Sequence, residues 1–350
     1  MNAVEPLQPA YTLTLRGPRV VYGTGVVHTE LAAELNRLEA HRVLLVASPR
    51  EQRARSGPLG QIADRIAGHV TDVRRHVPVD AVTSAITAAR ETGADCLLSI
   101  GGGSAVGTAK AVALETGLPI VALPTTYAGS ELTPIYGLTD GGVKRTGRSE
   151  RVLPRTVLLD PGLTADLPMD ITRFSAVNAL AHCLGGVFAT DRSPVTDLLA
   201  TRGARLLSDG LRLIRTRAAE PTAREYLTQG AHLAGTVLAH AGASLHHTLC
   251  HIIGGAFNLP HAQTHAAILP PALALLTEHH PDRAALLDDM PGGQDPASAT
   301  KALLVEADAA VRLRDIGLAE SDLPNATALL SNALTGMDGE RAAQLLREAW

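Results

Sequence analysis

The chain has 350 residues, 45% of them apolar and 19% charged, a length that allows two domains or one large one with a clear division. Its net charge of −4, with arginines scattered rather than clustered, excludes an obvious nucleic-acid surface, and no apolar run is long enough to suggest a membrane span. The N-terminus lacks the basic-then-apolar order of a signal peptide, and Cys96, Cys183 and Cys250 form no CxxC pair, so a cytoplasmic enzyme acting on a small molecule is expected.

In chain order, the alternation in YTLTL and then RVVYG predicts a small pair of strands from Tyr11 to Val21. GTGVVHTE (23–30) imitates the start of a dinucleotide fingerprint but lacks its third glycine, so it reads as a turn before a helix at 29–38. RVLLVA (42–47) reads as a buried parallel strand, and residues 80–92 as an amphipathic helix feeding the next strand at 96–100. Strands alternating with helices imply a parallel sheet covered on both faces, an α/β domain.

LLSIGGGSAVGTAK follows. Three glycines between a strand and a helix let the backbone approach a phosphate, and Gly101, Gly102, Gly103 and Ser104 are the candidates to hold it. The alternative is a tight turn whose small residues serve packing only. The lysine is too far from the glycines for a Walker motif, and no glycine follows Ser104 at the spacing of a nucleophile elbow. The next strand, PIVALP (119–124), ends in TTYAGSELTPIYGLTDGGVKRTGR. Open α/β sheets bind ligands at strand carboxyl ends, which makes Thr125, Thr126 and Ser130 candidates for cofactor contact. Lys144, Arg145 and Arg148 form a basic group in what reads as a Gly-rich loop, suited to an anion. Residues 152–159 read as the last strand and 161–168 as a linker, and from 170 onward the period is helical. The expected division is therefore 1–164, an α/β dinucleotide-binding domain, and 165–350, an all-helical catalytic and substrate domain, with an exposed loop at 291–299.

Within the helical half, RFSAVNALAHCLGG places Asn178 and His182 four apart on one helical face. SLHHTLCHIIGGAFNLPHAQTH (244–265) holds five of the 14 histidines. His247 and His251 are again four apart, Gly254 and Gly255 are expected to break the helix, and Pro260 sets a turn that brings His261 back toward the same point. Such a convergence suits a metal, a proton relay or a polarising site.

GGGS before a helix, PTT after the next strand, an NALAH helix and the spacing from His247 to His261 together resemble the iron-containing (group III) alcohol dehydrogenase superfamily. Within it, the two long segments PTTYAGSELTPIYGLTDGGVKRTGR and LHHTLCHIIGGAFNLPHAQTH are similar to those of the maleylacetate reductases, and the likeness runs from RVVYGTG to LLREAW. It implies an N-terminal dinucleotide-binding α/β domain followed by an all-α domain, the fold shared with dehydroquinate synthase. It also implies a homodimer and an NADH- or NADPH-dependent reduction of maleylacetate to 3-oxoadipate in aromatic-compound degradation. By position, Gly101 to Ser104 would hold the pyrophosphate, Thr125, Thr126 and Ser130 the nucleotide, and Lys144 its phosphates or ribose. Lys144 or Arg148, with Asn178, would meet the substrate. His251 would relay a proton near the nicotinamide beside His182, His247 and His261. A divalent ion, iron or zinc, would fall to Asn178, His182, His247 and His261. Most of the superfamily carries Asp where this chain has Asn178, and an amide there removes the one anionic ligand. HCLGG after His182 and a shortened stretch near 335–340 also depart from the family pattern, on the substrate side. The alternatives are a reductase of the same fold acting on another oxo acid or an aldehyde in a biosynthetic pathway, a non-redox NAD-containing lyase or cyclase, and a nucleotide-binding protein without catalysis. Arg50, where an acidic residue after the strand RVLLVA would favour NAD, leaves room for a 2′-phosphate.

Overall fold

A computed structural model describes residues 10–216, 221–287 and 295–350, with the Lys144 side chain also outside the described set. The chain forms two compact units, Arg16–Leu167 and Pro168–Trp350, the latter joined by the segment up to Leu15.

The first unit contains β1 (Arg19–Tyr22), α1 (Val26–Arg37), β2 (Val43–Ala47), α2 (Pro49–Ala54), α3 (Ser56–Gly60), β3 (Ile66–Val70), α4 (Val79–Glu91), β4 (Cys96–Gly101), α5 (Gly103–Thr116), β5 (Ile120–Pro124), β6 (Ile135–Asp140), β7 (Val143–Arg148) and β8 (Thr156–Leu159). Six strands form one parallel sheet in the order β1-β8-β5-β4-β2-β3. The central strands β2, β4, β5 and β8 are buried at every position and mostly apolar because both faces are covered. Val43, Leu45, Leu98, Ile100, Val121, Leu123 and Leu158 pack with Val27, Leu31 and Leu35 of α1 on one face. Leu44, Val46, Leu97, Ile120, Ala122 and Val157 pack with Ala85 and Ala89 of α4 and Ala109, Val112 and Ala113 of α5 on the other. Each fully buried leucine or isoleucine in these layers contributes about 2 kcal/mol.

Connections from β2 and β4, which are neighbours, leave in opposite directions, β2 toward β3 and β4 toward β5. Their carboxyl ends form a topological switch point, where open α/β sheets leave a crevice for a ligand. The GGGS turn lies at the end of β4.

Several expectations need correction. Only Arg19–Tyr22 enters the sheet; residues 11–15 form no strand, and Tyr11 and Leu15 stay exposed with no apolar surface to cover them. The last strand begins at Thr156, since Pro154 lacks an amide for the ladder and Glu150–Val152 form a 3₁₀ turn. The basic segment is a hairpin rather than a loop: β6 and β7 pair antiparallel from Ile135↔Arg148 to Asp140↔Val143. Gly141 and Gly142 have φ of 55° and 82°, the double positive φ of a two-residue type I′ turn. β3 was not foreseen because alanine, glycine and histidine interrupt its β-branched residues.

The second unit is helical: α6 (Met169–Gly186), α7 (Pro194–Thr216), α8 (Pro221–Ala241), α9 (Leu245–Ala256), α10 (His261–His279), α11 (Pro281–Ala284), α12 (Pro296–Glu306), α13 (Leu323–Ala333) and α14 (Gly339–Ala349). Residues 291–294 of the expected loop lie outside the described residues, and the rest opens α12, capped by the Asp295 carboxylate at the amides of Ala297 and Ser298. α6 is buried on nearly every side, against α7, α8 and α10. Small residues permit that packing: a Cβ on Gly203 would come 2.7 Å from Cys183 Sγ, and one on Gly186 would come 2.3 Å from Val237. Buried there, α6 carries Asn178 and His182 into the interior, each only 8% exposed.

Candidate active site

At the end of β4, Gly101 has φ of 146°, a conformation side chains rarely adopt. A Cβ on Gly102 would meet Thr126 Cγ2 at 2.8 Å, because Gly101 is paired with Pro124 and the turns after β4 and β5 lie side by side. Gly103 faces open space, and the first amides of α5, at Gly103 and Ser104, have no carbonyl within the helix to serve. This bare cradle at a helix N-terminus and switch point fits the pyrophosphate of a dinucleotide. The neighbouring hydroxyls are unequal. Thr125 is buried and donates to Glu51 Oε1 at 3.3 Å, a partner the sequence reading missed, whereas Ser130 Oγ is buried with no hydrogen-bond partner. Arg148 is exposed on β7. The Lys144 side chain lies outside the described residues.

Lys110, unassigned from sequence, holds this region together. Its Nζ is buried and meets the carbonyl oxygens of Ser130, Thr133 and Ile135 at 2.6, 2.7 and 2.7 Å. Three carbonyl acceptors need three N–H donors, so the ammonium form is the one that fits. Burial pulls its pKa down to about 7, a fall that the neighbouring Glu131 only partly offsets.

In the helical unit, the α9–α10 turn gathers the histidines. Gly254 and Gly255 do not break α9. Asn258, at φ of 50°, ends it, and Leu259 N–H returns to the Gly254 carbonyl at 3.0 Å, a Schellman closure. Pro260 then starts α10 with His261 in its first turn. His182 stacks on His247 with centroids 3.9 Å apart, and His247 stands 6.5 Å from His251, which is 5.7 Å from His261. All four predicted imidazoles thus belong to one continuous array, with Asn178 one turn before His182 on α6.

Two members were not assigned from sequence. His265 lies 4.4 Å from both His247 and His261, and His246 lies 5.1 Å from His247 and 5.0 Å from His265. The i, i+4 spacing of His261 and His265 on α10 was the available signal.

Water divides the array. His251 and His261 are exposed, whereas His182, His246, His247 and His265 are buried. Burial disfavours the imidazolium, pushing His182 down to about 3, His246 to about 4, and His247 and His265 well below the ordinary value, with neighbouring imidazoles lowering them further. These rings are therefore neutral near pH 7. Both nitrogens of His247 and of His265, His246 Nδ1 and Asn178 Oδ1 are buried without a hydrogen-bond partner, and such groups call for a ligand. Nitrogens converge to within 4.8 Å in two sets, His246–His247–His265 and His251–His261–His265. Neutral imidazoles with no carboxylate fit a borderline transition ion such as iron or zinc and do not fit magnesium or calcium.

A family model described as "Iron-containing alcohol dehydrogenase" matches residues 17–161, and one described as "Fe-containing alcohol dehydrogenase family, C-terminal" matches residues 172–341. A maleylacetate reductase of Cupriavidus pinatubonensis is 41% identical, covering 90% of this chain and 88% of its own. One from Burkholderia cepacia is 45% identical over 76% and 75%. The crystal structure of a maleylacetate reductase from a Rhizobium species superposes with a TM-score of 0.93 at 36% identity, covering 98% of this chain and 99% of that one.

Proposed function

We infer the reaction from one premise: the chain belongs to the iron-containing alcohol dehydrogenase family and is an oxidoreductase. Its reaction is the reduction of maleylacetate to 3-oxoadipate. The likeness to maleylacetate reductases over nearly the whole chain carries that assignment, and the carboxylate-free array beside Asn178 supports it.

Maleylacetate is a dianion with an alkene conjugated to a ketone. Its reduction places a hydride on the alkene carbon β to the ketone and a proton on the carbon next to it, through an enolate whose oxygen must be stabilised as charge develops. A bound reduced nicotinamide supplies the hydride, and a transition ion, if held by Asn178, His182, His247 and His261, adds Lewis acidity.

The residues divide the remaining work. The backbone at Gly101, Gly102, Gly103 and Ser104 holds the pyrophosphate, Thr126 and Ser130 contact the nucleotide, and Thr125 positions its neighbours through Glu51. Lys144 meets the cofactor phosphates or ribose, and Lys144 or Arg148 a substrate carboxylate. Buried neutral imidazoles suit hydrogen-bond donation to the enolate oxygen, which assigns His182 and His247 to polarisation with Asn178 beside them. An exposed imidazole exchanges protons with water, which assigns the proton at the carbon next to the ketone to His251, with His261 adjacent. The exposed Arg50 just after β2 leaves room for either NADH or NADPH. The enzyme is read as a cytoplasmic homodimer of a degradative pathway because the likeness to maleylacetate reductases implies it; its three cysteines are free and buried, and among the described residues no helix is long and apolar enough to cross a membrane.

The experiment is a substrate panel with NADH and NADPH, each with and without chelator. Nicotinamide oxidation with maleylacetate, and little with simple aldehydes, is expected. Preference for an aldehyde would contradict the assignment.

A further inference from the structure

Glu51 and Arg55 form an ion pair near the glycine turn that the reduction does not use. Ser48 caps α2 by accepting the Glu51 N–H at 3.3 Å, which sets Glu51 in the first turn, and Arg55 follows one turn later on the same side. Both side chains are largely withdrawn from water, 21% and 12% exposed. A carboxylate close to a cradle for pyrophosphate works against anion binding, so its place there calls for a gain elsewhere.

Strand order supplies the gain. Glu51 follows β2 and Thr125 follows β5, and in the sheet β4 lies between those two strands. The hydrogen bond from Thr125 Oγ1 to Glu51 Oε1, at 3.3 Å, therefore crosses the carboxyl end of β4, where the glycine turn begins. A carboxylate only accepts, so the one hydroxyl proton of Thr125 is committed to it. The Thr125 amide donates to the Gly101 carbonyl at 3.1 Å, and Thr126 fills the space that a Cβ on Gly102 would need. Thr125 is thus held by side chain and backbone together. On the far side, Arg55 donates to the Leu163 carbonyl and the Tyr127 hydroxyl donates to Thr164 Oγ1 at 2.9 Å, so residues 125–127 are moored to residues 163–164 by two routes. Glu51 Oε2 and Arg55 Nε stand 3.7 Å apart and neither has a hydrogen-bond partner. That distance is too long for a hydrogen bond, which leaves Thr125 as the directional contact of Glu51.

We propose that Glu51 is a positioning residue for the nicotinamide cofactor: by holding the Thr125 hydroxyl across the end of β4, it fixes the backbone of the glycine turn and with it the amides of Gly103 and Ser104. It touches neither cofactor nor substrate. The inference rests on the reading of that turn as the pyrophosphate cradle. Pyrophosphate is remote from the transferred hydride, so Glu51 governs cofactor binding and not the chemical step.

The test is steady-state kinetics on the full-length enzyme, with maleylacetate saturating and the better of NADH and NADPH varied. Glu51→Ala should raise the KM for the nicotinamide by about 10-fold, the worth of one charge-assisted hydrogen bond, and keep kcat within about twofold of the parent. Glu51→Gln keeps a carbonyl oxygen for Thr125 but gives up the charge facing Arg55, and should restore most of the affinity. Thr125→Val should match Glu51→Ala, and the double variant should be no worse than either single one, because all three break the same bond. If Glu51→Ala fails to fold with Arg55 left buried, Glu51→Gln against Thr125→Val carries the same comparison, the glutamine variant staying near the parent and the valine variant weakened. An unchanged KM in Glu51→Ala, a Glu51→Gln variant as weak as Glu51→Ala or Thr125→Val, or losses that multiply to about 100-fold in the double variant would overturn the proposal. A parent that binds neither nicotinamide would overturn the cradle itself along with it.

Discussion

His182 and His251 differ less in chemistry than in access to water. A buried ring that stays neutral to about pH 3 cannot deliver a proton near neutrality, whereas a solvent-exposed ring can be reprotonated after each turnover. His251→Ala should therefore lower kcat by about 100-fold or more, measured as nicotinamide oxidation under saturating substrate; an unchanged kcat would remove His251 from the proton step. Lys110 acts only through position. Lys110→Met would leave three carbonyls without their donor and should lower stability by about 3 kcal/mol or more in urea unfolding, and raise the KM for the nicotinamide through the loosened Ser130 segment. His247 and His251 were legible because helical spacing places both imidazoles on one face, His182 because the same spacing pairs it with Asn178, and His261 because the turn at Pro260 brings it back toward them. Lys110 was not, because a lysine in the middle of a helix turns inward only when a later segment offers carbonyls, and that segment, residues 130–135, is distant in sequence. His265 was legible only in part: its spacing from His261 puts both on one face of α10, but its burial comes from the neighbouring rings of His247 and His261.

At the scale of elements, Glu34 ties α1 to two strands. Its carboxylate accepts from Arg19 on β1, from Arg37 on its own helix and from Thr156 on β8, at 2.9, 2.8 and 3.1 Å. Burial raises its pKa, but the hydrogen bonds from Arg37, Arg19 and Thr156 outweigh it, and the group rests below the ordinary carboxylate value. In acid the unfolded chain therefore takes up this proton first. The stabilisation is complete above the unfolded pKa of about 4.3 and is lost as pH falls through the lower folded value. Glu34→Gln should lower stability at pH 7 by about 1–2 kcal/mol and flatten its decline on acidification below about pH 4.3 in urea titrations; a parallel decline in both proteins would contradict the linkage. The elements themselves were legible where hydrophobic period was strong, as in β2, α4, β4 and β5. Punctuation misled more than period. Two glycines at 254 and 255 looked like a helix end, yet Asn258 in the left-handed conformation provides it. Asp-Gly-Gly-Val is a two-residue hairpin signal that the surrounding basic residues obscured.

For the molecule as a whole, alternating strands and helices giving way to helices alone made an α/β unit followed by a helical one readable. Sheet order was not readable, because nothing in the chain before folding says that β2 and β4 are neighbours with β3 outside them. That order decides the function of the first unit, since it places the glycine turn at the switch point. The central claim is that this enzyme reduces the alkene of its substrate through an enolate, and does not reduce the ketone. The most direct measurement follows deuterium from nicotinamide labelled at its transferable position into the product of maleylacetate. One deuterium on the carbon β to the intact ketone is predicted. Deuterium on the former carbonyl carbon, in a hydroxy acid, would contradict it.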